Sequence, residues 1–438
     1  MSGIFRLILV FLAARAVQVR IVSLLFGAAF SSDLLAAELA TLLQNVLQHP
    51  QIQAASIQTE AARAQKDAAS ARYFGSAMLS AGWHRYEDRR IVGVYTPGTS
   101  MLPLSSERIV QSGLNYTLPV DLSGVIAANQ ERAQHDLRAS HLLARQQTLL
   151  KLHQATNAYI ALQGLLKQRA ALTLSRQRVD ATYQRTNKEF ELGKAAGVDV
   201  RYAESELARL NADEAVLDGA LAQAQADIAE ASGQNGFLPA AATIRIPSWR
   251  VPADDALPVQ IAQARQQSAQ ALAEESRRAL HPAITLDANF FRNSAPGDGH
   301  RNTWVVGAVL SLPLGVSQYR QASAHKLAAA AAAEQSEAAR RDAGRQFASL
   351  RAAYDSALAD AASLAKEVRY REEVAQIQQN MQRLGNQTLE NLFRHERDLR
   401  DARYRLAQAE GRAATAWSAA QVVIGLPVDS YIAQIDPT

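Results

Sequence analysis

The chain repeats one plan 192 residues apart, and that repeat limits its fold more than any single residue does. Phe190-Glu191-Leu192-Gly193 stands 40 residues before Gly233, and Gln382-Arg383-Leu384-Gly385 stands 40 residues before Gly425. Upstream of each lies a strand-like run ending in Leu-Pro. Pro119 precedes Gly193 by 74 residues and Pro313 precedes Gly385 by 72. Strand, strand, very long helix, Leu-Gly turn and return helix, twice over, describe a wall element of a symmetric tube rather than a catalytic domain.

The strand signals are periods of two. Ala77, Leu79, Ala81 and Trp83 fall on one face of 76–86, with Ser76, Ser80 and His84 on the other. In 109–118, Val110, Leu114, Tyr116 and Leu118 oppose Gln111, Asn115 and Thr117. The second half repeats the pattern. Ile284, Leu286, Ala288 and Phe290 alternate with Thr285, Asp287 and Asn289 in 283–291, and 303–312 places Trp304, Val306, Ala308, Leu310 and Leu312 on one side. Runs of about ten residues with aromatics near their ends have the length and girdle of tilted membrane strands. The same alternation also suits hairpins half-buried in a soluble domain.

Composition weighs against the soluble hairpins. Aromatic residues are only 6% of the 438, and the helical segments are rich in Ala, so they supply no thick apolar partner for those outward faces. Lipid is the more natural partner. Four strands cannot close a barrel, for which about eight is the smallest form, and a membrane sheet must close to hide its edges. The chain is therefore expected to oligomerise in order to span.

The N-terminus reads as an export signal over residues 1–37. Arg6, Arg15 and Arg20 precede the apolar run 21–30, and Leu35-Ala36-Ala37 offers a cleavage site before Glu38. The apolar run is too short for a membrane-spanning helix, which needs about 20 residues. Cysteine is absent, which excludes disulfides, thiolate metal sites and a lipid-modified N-terminal Cys.

The first repeat is read as 38–235 and the second as 259–425, joined by a linker at 236–258 rich in Pro and followed by a tail at 426–438. Residues 38–72 are helical with an interruption at His49-Pro50. Between Leu122 and Leu192 there is no Pro, and Val316–Leu384 likewise has none, so each of the two segments can run as one helix of about 100 Å. The return helices carry a seven-residue rhythm. Ala203, Leu207, Leu210, Leu217, Leu221, Ala224, Ile228 and Ala231 mark it in the first, with Glu214 the one polar intrusion, and Leu399, Ala402, Ala409, Ala413, Ala416, Ala420 and Val423 in the second, with Leu406 in the place of Glu214 and His395 in that of Ala203.

Together these residues resemble the TolC family of outer-membrane efflux ducts. The resemblance spans 38–438 and rests on His49-Pro50-Gln51-Ile52, the two Leu-Pro strand ends, and the tips around Gly193 and Gly385. It implies an α+β membrane protein in which the duplicated strand-strand-helical-hairpin units form a homotrimer. Its 12-stranded β-barrel would lie in the outer membrane and continue into the periplasm as an α-helical barrel. It implies passive conduction of substrate from a periplasmic adaptor and an inner-membrane pump, of the RND or ABC kind, to the exterior. Leu192, Gly193, Lys194, Leu384, Gly385 and Asn386 would meet the adaptor. A tight reversal also needs a residue tolerant of positive φ, which Gly193 and Gly385 supply. Asp199, Asn391 and Arg394 would line the periplasmic constriction. The family commonly carries Asp in its second tip, so Asn391 and Arg394 depart from an acidic ring and point to mixed or anion-tolerant selectivity. Length and early organisation resemble the heavy-metal branch represented by CzcC, with drug, dye and protein export left open.

Enzyme signatures are lacking. No glycine-rich phosphate loop, catalytic triad context or metal-ligand spacing occurs, and His135 and His141 do not share a helix face. No cofactor is expected. The net charge of +4 is small for this length and basic residues alternate with acidic ones, which argues against nucleic acid. The competing reading is a soluble periplasmic coiled-coil adaptor or scaffold, which would carry one hairpin and flanking β domains.

Overall fold

A computed structural model of the protein describes residues 33–435 except 94–102, 234, 236–238, 240–244, 250–255, 298 and 385, with backbone alone for 33–38. The expected export signal thus lies mostly outside the described residues, as does Gly385. The described elements are α1 (Asp33–Val46), α2 (Pro50–Ala71), β1 (Ser76–Val92), β2 (Leu104–Val120), α3 (Val125–Glu191), α4 (Gly197–Ser232), α5 (Leu257–Arg278), β3 (Ala283–Ala295), β4 (Gly299–Ser311), α6 (Val316–Arg383), α7 (Leu389–Ile424) and α8 (Val428–Ile435).

The four strands form one antiparallel sheet in the order β1-β2-β3-β4. The strands outrun the periodic stretches, reaching 17 residues in β1 and β2 and 13 in β3 and β4. Strict alternation marks only the part in contact with an apolar medium, whereas backbone pairing carries on beyond it. Register shifts between Arg85 and Arg90, and past that irregularity the β1–β2 hairpin bends over one face of its own sheet. Leu104, Ile109 and Ala295 are buried there against Tyr86 and Val92. At the hairpin's end a Cβ on Gly93 would lie 3.2 Å from the Arg301 side chain of β4, at the far side of the sheet.

The helices form a thin layer running away from the sheet. With 67 and 68 residues, α3 and α6 are each about 100 Å long. Each has different neighbours along its two halves. Near the sheet, α5 lies between them: Asn129 and Arg132 of α3 bond Glu275, while His325 of α6 bonds Ser276 at 2.5 Å. Here Thr59 of α2 also reaches the Ser140 hydroxyl of α3 at 3.3 Å. Farther out, α4 and α7 take over. Arg176 bonds Glu214, and Glu367, Glu372 and Asp360 of α6 receive Arg405, Arg403 and Arg412 of α7.

The duplication is kept at residue level: adding 192 to the bounds of α4, Gly197–Ser232, gives those of α7, Leu389–Ile424. Both helices end on a glycine in the left-handed region, Gly233 at φ 72° and Gly425 at φ 68°. The apolar positions of that rhythm are buried, except that Leu207, Leu406 and Val423 are half-buried.

The molecule thickens at one level, where α1 and α8 cross the long helices. Leu42, Leu43, Leu149, Leu152, Trp417 and Tyr431 make a core there. Two elements were invisible in the sequence. The segment expected as a tail contains α8, which buries Tyr431 and Ile435. The linker expected to run to Pro258 gives way at Leu257 to α5, since a proline in the first helical turn sacrifices no hydrogen bond. Part of the true linker lies along α6: Trp249 packs on Phe347 and Tyr354, and the Tyr354 hydroxyl donates to the Pro247 carbonyl at 2.8 Å.

Candidate functional site

The sheet register sorts side chains onto two faces of opposite chemistry. Leu79, Leu114, Phe290 and Trp304 lie directly opposite one another in one row, and Ala77, Tyr116, Ala288 and Val306 form the next. Rows nearer the helices run Leu118, Leu286, Ala308 and then Val120, Ile284, Leu310. In a water-soluble protein this face would be covered, yet Trp83 is 64% exposed and Trp304 72%. A contiguous apolar sheet face without a protein partner marks a membrane or protein contact.

The other face is polar and internally bonded. Gln111 donates to Asn293 at 2.9 Å, Thr117 to Asp287 at 2.8 Å, and Asn115 to Ser80 at 3.3 Å. Asn293 also reaches Thr303, at 3.3 Å, and is buried. One aromatic, Phe291, sits among these groups. It lies over Gly113, where a Cβ would come within 2.5 Å of its ring, so only glycine admits this contact. Both sheet edges, β1 and β4, are paired on one side only. Among the described residues, no helix is long and apolar enough to cross a membrane.

The two helix tips lie at the opposite end. At the first, Leu192 caps α3, Gly193 adopts φ 70°, and the Lys194 amide returns to the Glu189 carbonyl at 2.7 Å. At the second, the Asn386 amide returns to Met381 at 3.0 Å, the same bond displaced by 192 residues. A Cβ on Gly193 would meet nothing within 4 Å, so the left-handed backbone alone demands glycine there. Leu192 and Leu384 stand 70% and 72% exposed. Phe190, Val198, Ile377 and Met381 are exposed beside them, an apolar surround that the glycine motif did not signal.

Asp199 lies in the first turn of α4, half-buried. Asn391 occupies the matching turn of α7, where its amide bonds the Thr388 hydroxyl and its side chain donates to Gln387 at 3.1 Å. Thr388 is thus the N-cap of α7, a role that its position three residues before Asn391 could have suggested. The two first turns are neighbours, because Tyr202 of α4 stacks on Phe393 of α7 with centroids 5.8 Å apart. Arg394 is exposed one turn further along.

The model of the outer membrane efflux protein family matches residues 42–234, from within α1 to just past the end of α4. That is 193 of the chain's 438 residues, so the sequence signal of the family lies in the first half. The second repeat carries the same fold in solved structures. VceC from Vibrio cholerae shares 18% identity, with a TM-score of 0.75 over 89% of this chain and 96% of that one. CusC shares 16%, with a TM-score of 0.76 over 89% and 92%. MtrE of Neisseria gonorrhoeae, in its open state, shares 19%, with a TM-score of 0.73 over 89% of each. No curated protein sequence matches the chain significantly.

For an outer membrane efflux protein of this fold, the apolar face is the lipid-facing wall and the polar face lines the lumen. The β1–β2 bend then lies inside the barrel mouth, because Ile109, Asn293, Ala295 and Arg301 share lumenal register.

Proposed function

We propose that this protein is the exit duct of a tripartite efflux or type I secretion assembly. Three copies close a 12-stranded barrel in the outer membrane and an α-helical barrel beneath it, conducting substrate passively from an adaptor and an inner-membrane pump. One observation carries the reading: an apolar-outside, polar-inside sheet with two unpaired edges that leads directly into helices about 100 Å long. A soluble adaptor would have no use for the exposed Trp83 and Trp304 face. CusC, which has the same fold, undergoes conformational changes that accompany its folding and transmembrane channel formation.

At the far end, Leu192, Gly193, Lys194, Leu384, Gly385 and Asn386 form the adaptor contact. The exposed leucines and the neighbouring Phe190 and Val198 support this, since apolar side chains left open at the end of a rod need a partner. Asp199, Asn391 and Arg394 line the constriction between the two tips, with an amide and a guanidinium where an acidic ring would favour cations. Substrate choice rests with the pump, and the heavy-metal branch stays one option among metals, drugs and proteins.

Membrane fractionation combined with planar-bilayer recording tests the duct. The expected result is a heat-modifiable trimer in the outer membrane that forms conducting channels when purified. Recovery as a water-soluble monomer without conductance would favour the adaptor reading instead.

A further inference from the structure

The lipid-facing wall is not the same at its two ends. Its helix-proximal rows carry no cation on any strand, whereas three arginines project outward near the distal end. Arg85 and Arg108 are direct cross-strand partners, one step beyond the Trp83–Val110 pair and on the same face. Arg292 lies between the rows of Phe290 and Ser294, also outward. All three are exposed, and among the described residues none of them has an ion pair or a side-chain hydrogen bond. Glu107 points to the other face by alternation, while Glu87 and Asp88 fall in the irregular stretch between Arg85 and Arg90.

Two like charges directly opposite each other destabilise a sheet. Placing them beside an aromatic belt, on a face that meets lipid, is costly unless the medium supplies anions. The distal end lies away from the periplasmic helices and so reaches the outer leaflet. Guanidinium groups match phosphate oxygens bidentately, and such contacts are short and charge-assisted.

We propose that Arg85, Arg108 and Arg292 bind the phosphate groups of lipid headgroups in the outer leaflet, one site on each protomer. The site rests on the membrane orientation given above, and it fixes the depth of the barrel by holding its outer rim to a charged lipid layer. Phe290 and Trp304, one row inside Arg292, mark the acyl boundary, and the arginines span the headgroup layer, with Arg292 two rows inside the Arg85–Arg108 pair.

The test uses the full-length trimer in non-ionic detergent, titrated with bisphosphorylated lipid A and with the same lipid after dephosphorylation, bound lipid being counted by native mass spectrometry. Wild type is expected to retain the phosphorylated lipid. The variant with Arg85→Gln, Arg108→Gln and Arg292→Gln is expected to lose about tenfold in affinity, the scale of one or two charge-assisted contacts. The corresponding Lys substitutions should keep most of it. Dephosphorylated lipid should bind wild type no better than it binds the Gln variant. Equal retention by wild type and the Gln variant, or by the two lipids, overturns the proposal, as does full displacement by millimolar inorganic phosphate, which would make this a free-anion site. Should the triple variant fail to assemble, Arg108→Gln alone is read the same way. Unchanged trimer mass and conductance in the variants separate loss of this site from failure of the duct reading.

Discussion

Glu396, buried on α7, accepts two hydrogen bonds from a single nitrogen of Arg178 on α3, each 3.0 Å long. The pair ties the long helix of the first repeat to the return helix of the second, 218 residues later. Only 7% of the Glu396 side chain is exposed against 30% for Arg178, so the acid is the partner that cannot turn to water instead. Arg178→Ala should therefore cost about 2 kcal/mol, below the range for a fully buried pair because the arginine is partly hydrated. Glu396→Gln should cost less, since the amide oxygen still accepts. Thermal unfolding of the purified trimer measures both, and equal losses would mean that the charge contributes nothing beyond the hydrogen bonds.

His153 gives the assembly a pH dependence. Its Nδ1 lies 2.7 Å from the Ser418 hydroxyl and its Nε2 lies 3.0 Å from Asn157, and Ser418 continues to the buried Tyr431 hydroxyl at 2.6 Å. Burial pushes the imidazole below its ordinary value. A base whose folded pKa is depressed binds its proton more readily when unfolded. Stability is then full above the unfolded value, about 6.5, and falls as pH drops from there towards the folded value. Melting curves between pH 7.5 and 5, values chosen to span that window, should show the loss in wild type and a smaller one in His153→Asn. A profile unchanged by the substitution would place the pH sensitivity elsewhere.

The glycine–phenylalanine contact on the lumenal wall predicts a rescue. Gly113→Ala sets its methyl 2.5 Å from the Phe291 ring and should reduce the yield of heat-modifiable trimer. Gly113→Ala with Phe291→Leu should recover most of it, because a leucine can turn away from the strand. If the single substitution assembles normally, the ring has freedom that the packing does not suggest.

Selectivity tests the constriction directly. Asn391→Asp introduces an acid into each of three copies and should shift the reversal potential towards cation preference, whereas Arg394→Gln should weaken any anion preference. Single-channel recording in a salt gradient reads both, and unchanged reversal potentials in both variants would remove Asn391 and Arg394 from the pore.

The parts of this molecule that are periodic were readable, and those made by distant contacts were not. Trp83, Leu114, Phe290 and Trp304 announce one face by alternation alone, and only the register shows that the last three share one row with Trp83 two rows beyond. Gly193 and Lys194 announced a reversal, because a turn of that kind needs positive φ. The exposed Phe190 and Val198 around it carried no signal, since an apolar residue in a helix reads as buried until its surroundings are known. Tyr431 looked like part of a tail, and its burial depends on Thr156, 275 residues earlier, meeting it beside the nearer Ser418. The Arg85–Arg108 opposition was equally hidden, because it exists only once β1 and β2 are paired.

The two open edges of the sheet have a genetic consequence. β1 and β4 each await a strand from another copy, so one chain with a spoiled edge ruins a barrel whose other two chains are sound. Alleles damaged along β4 should then be dominant when co-expressed with wild type, removing more channels than their share of the subunits, whereas alleles damaged only at a helix tip should titrate in proportion.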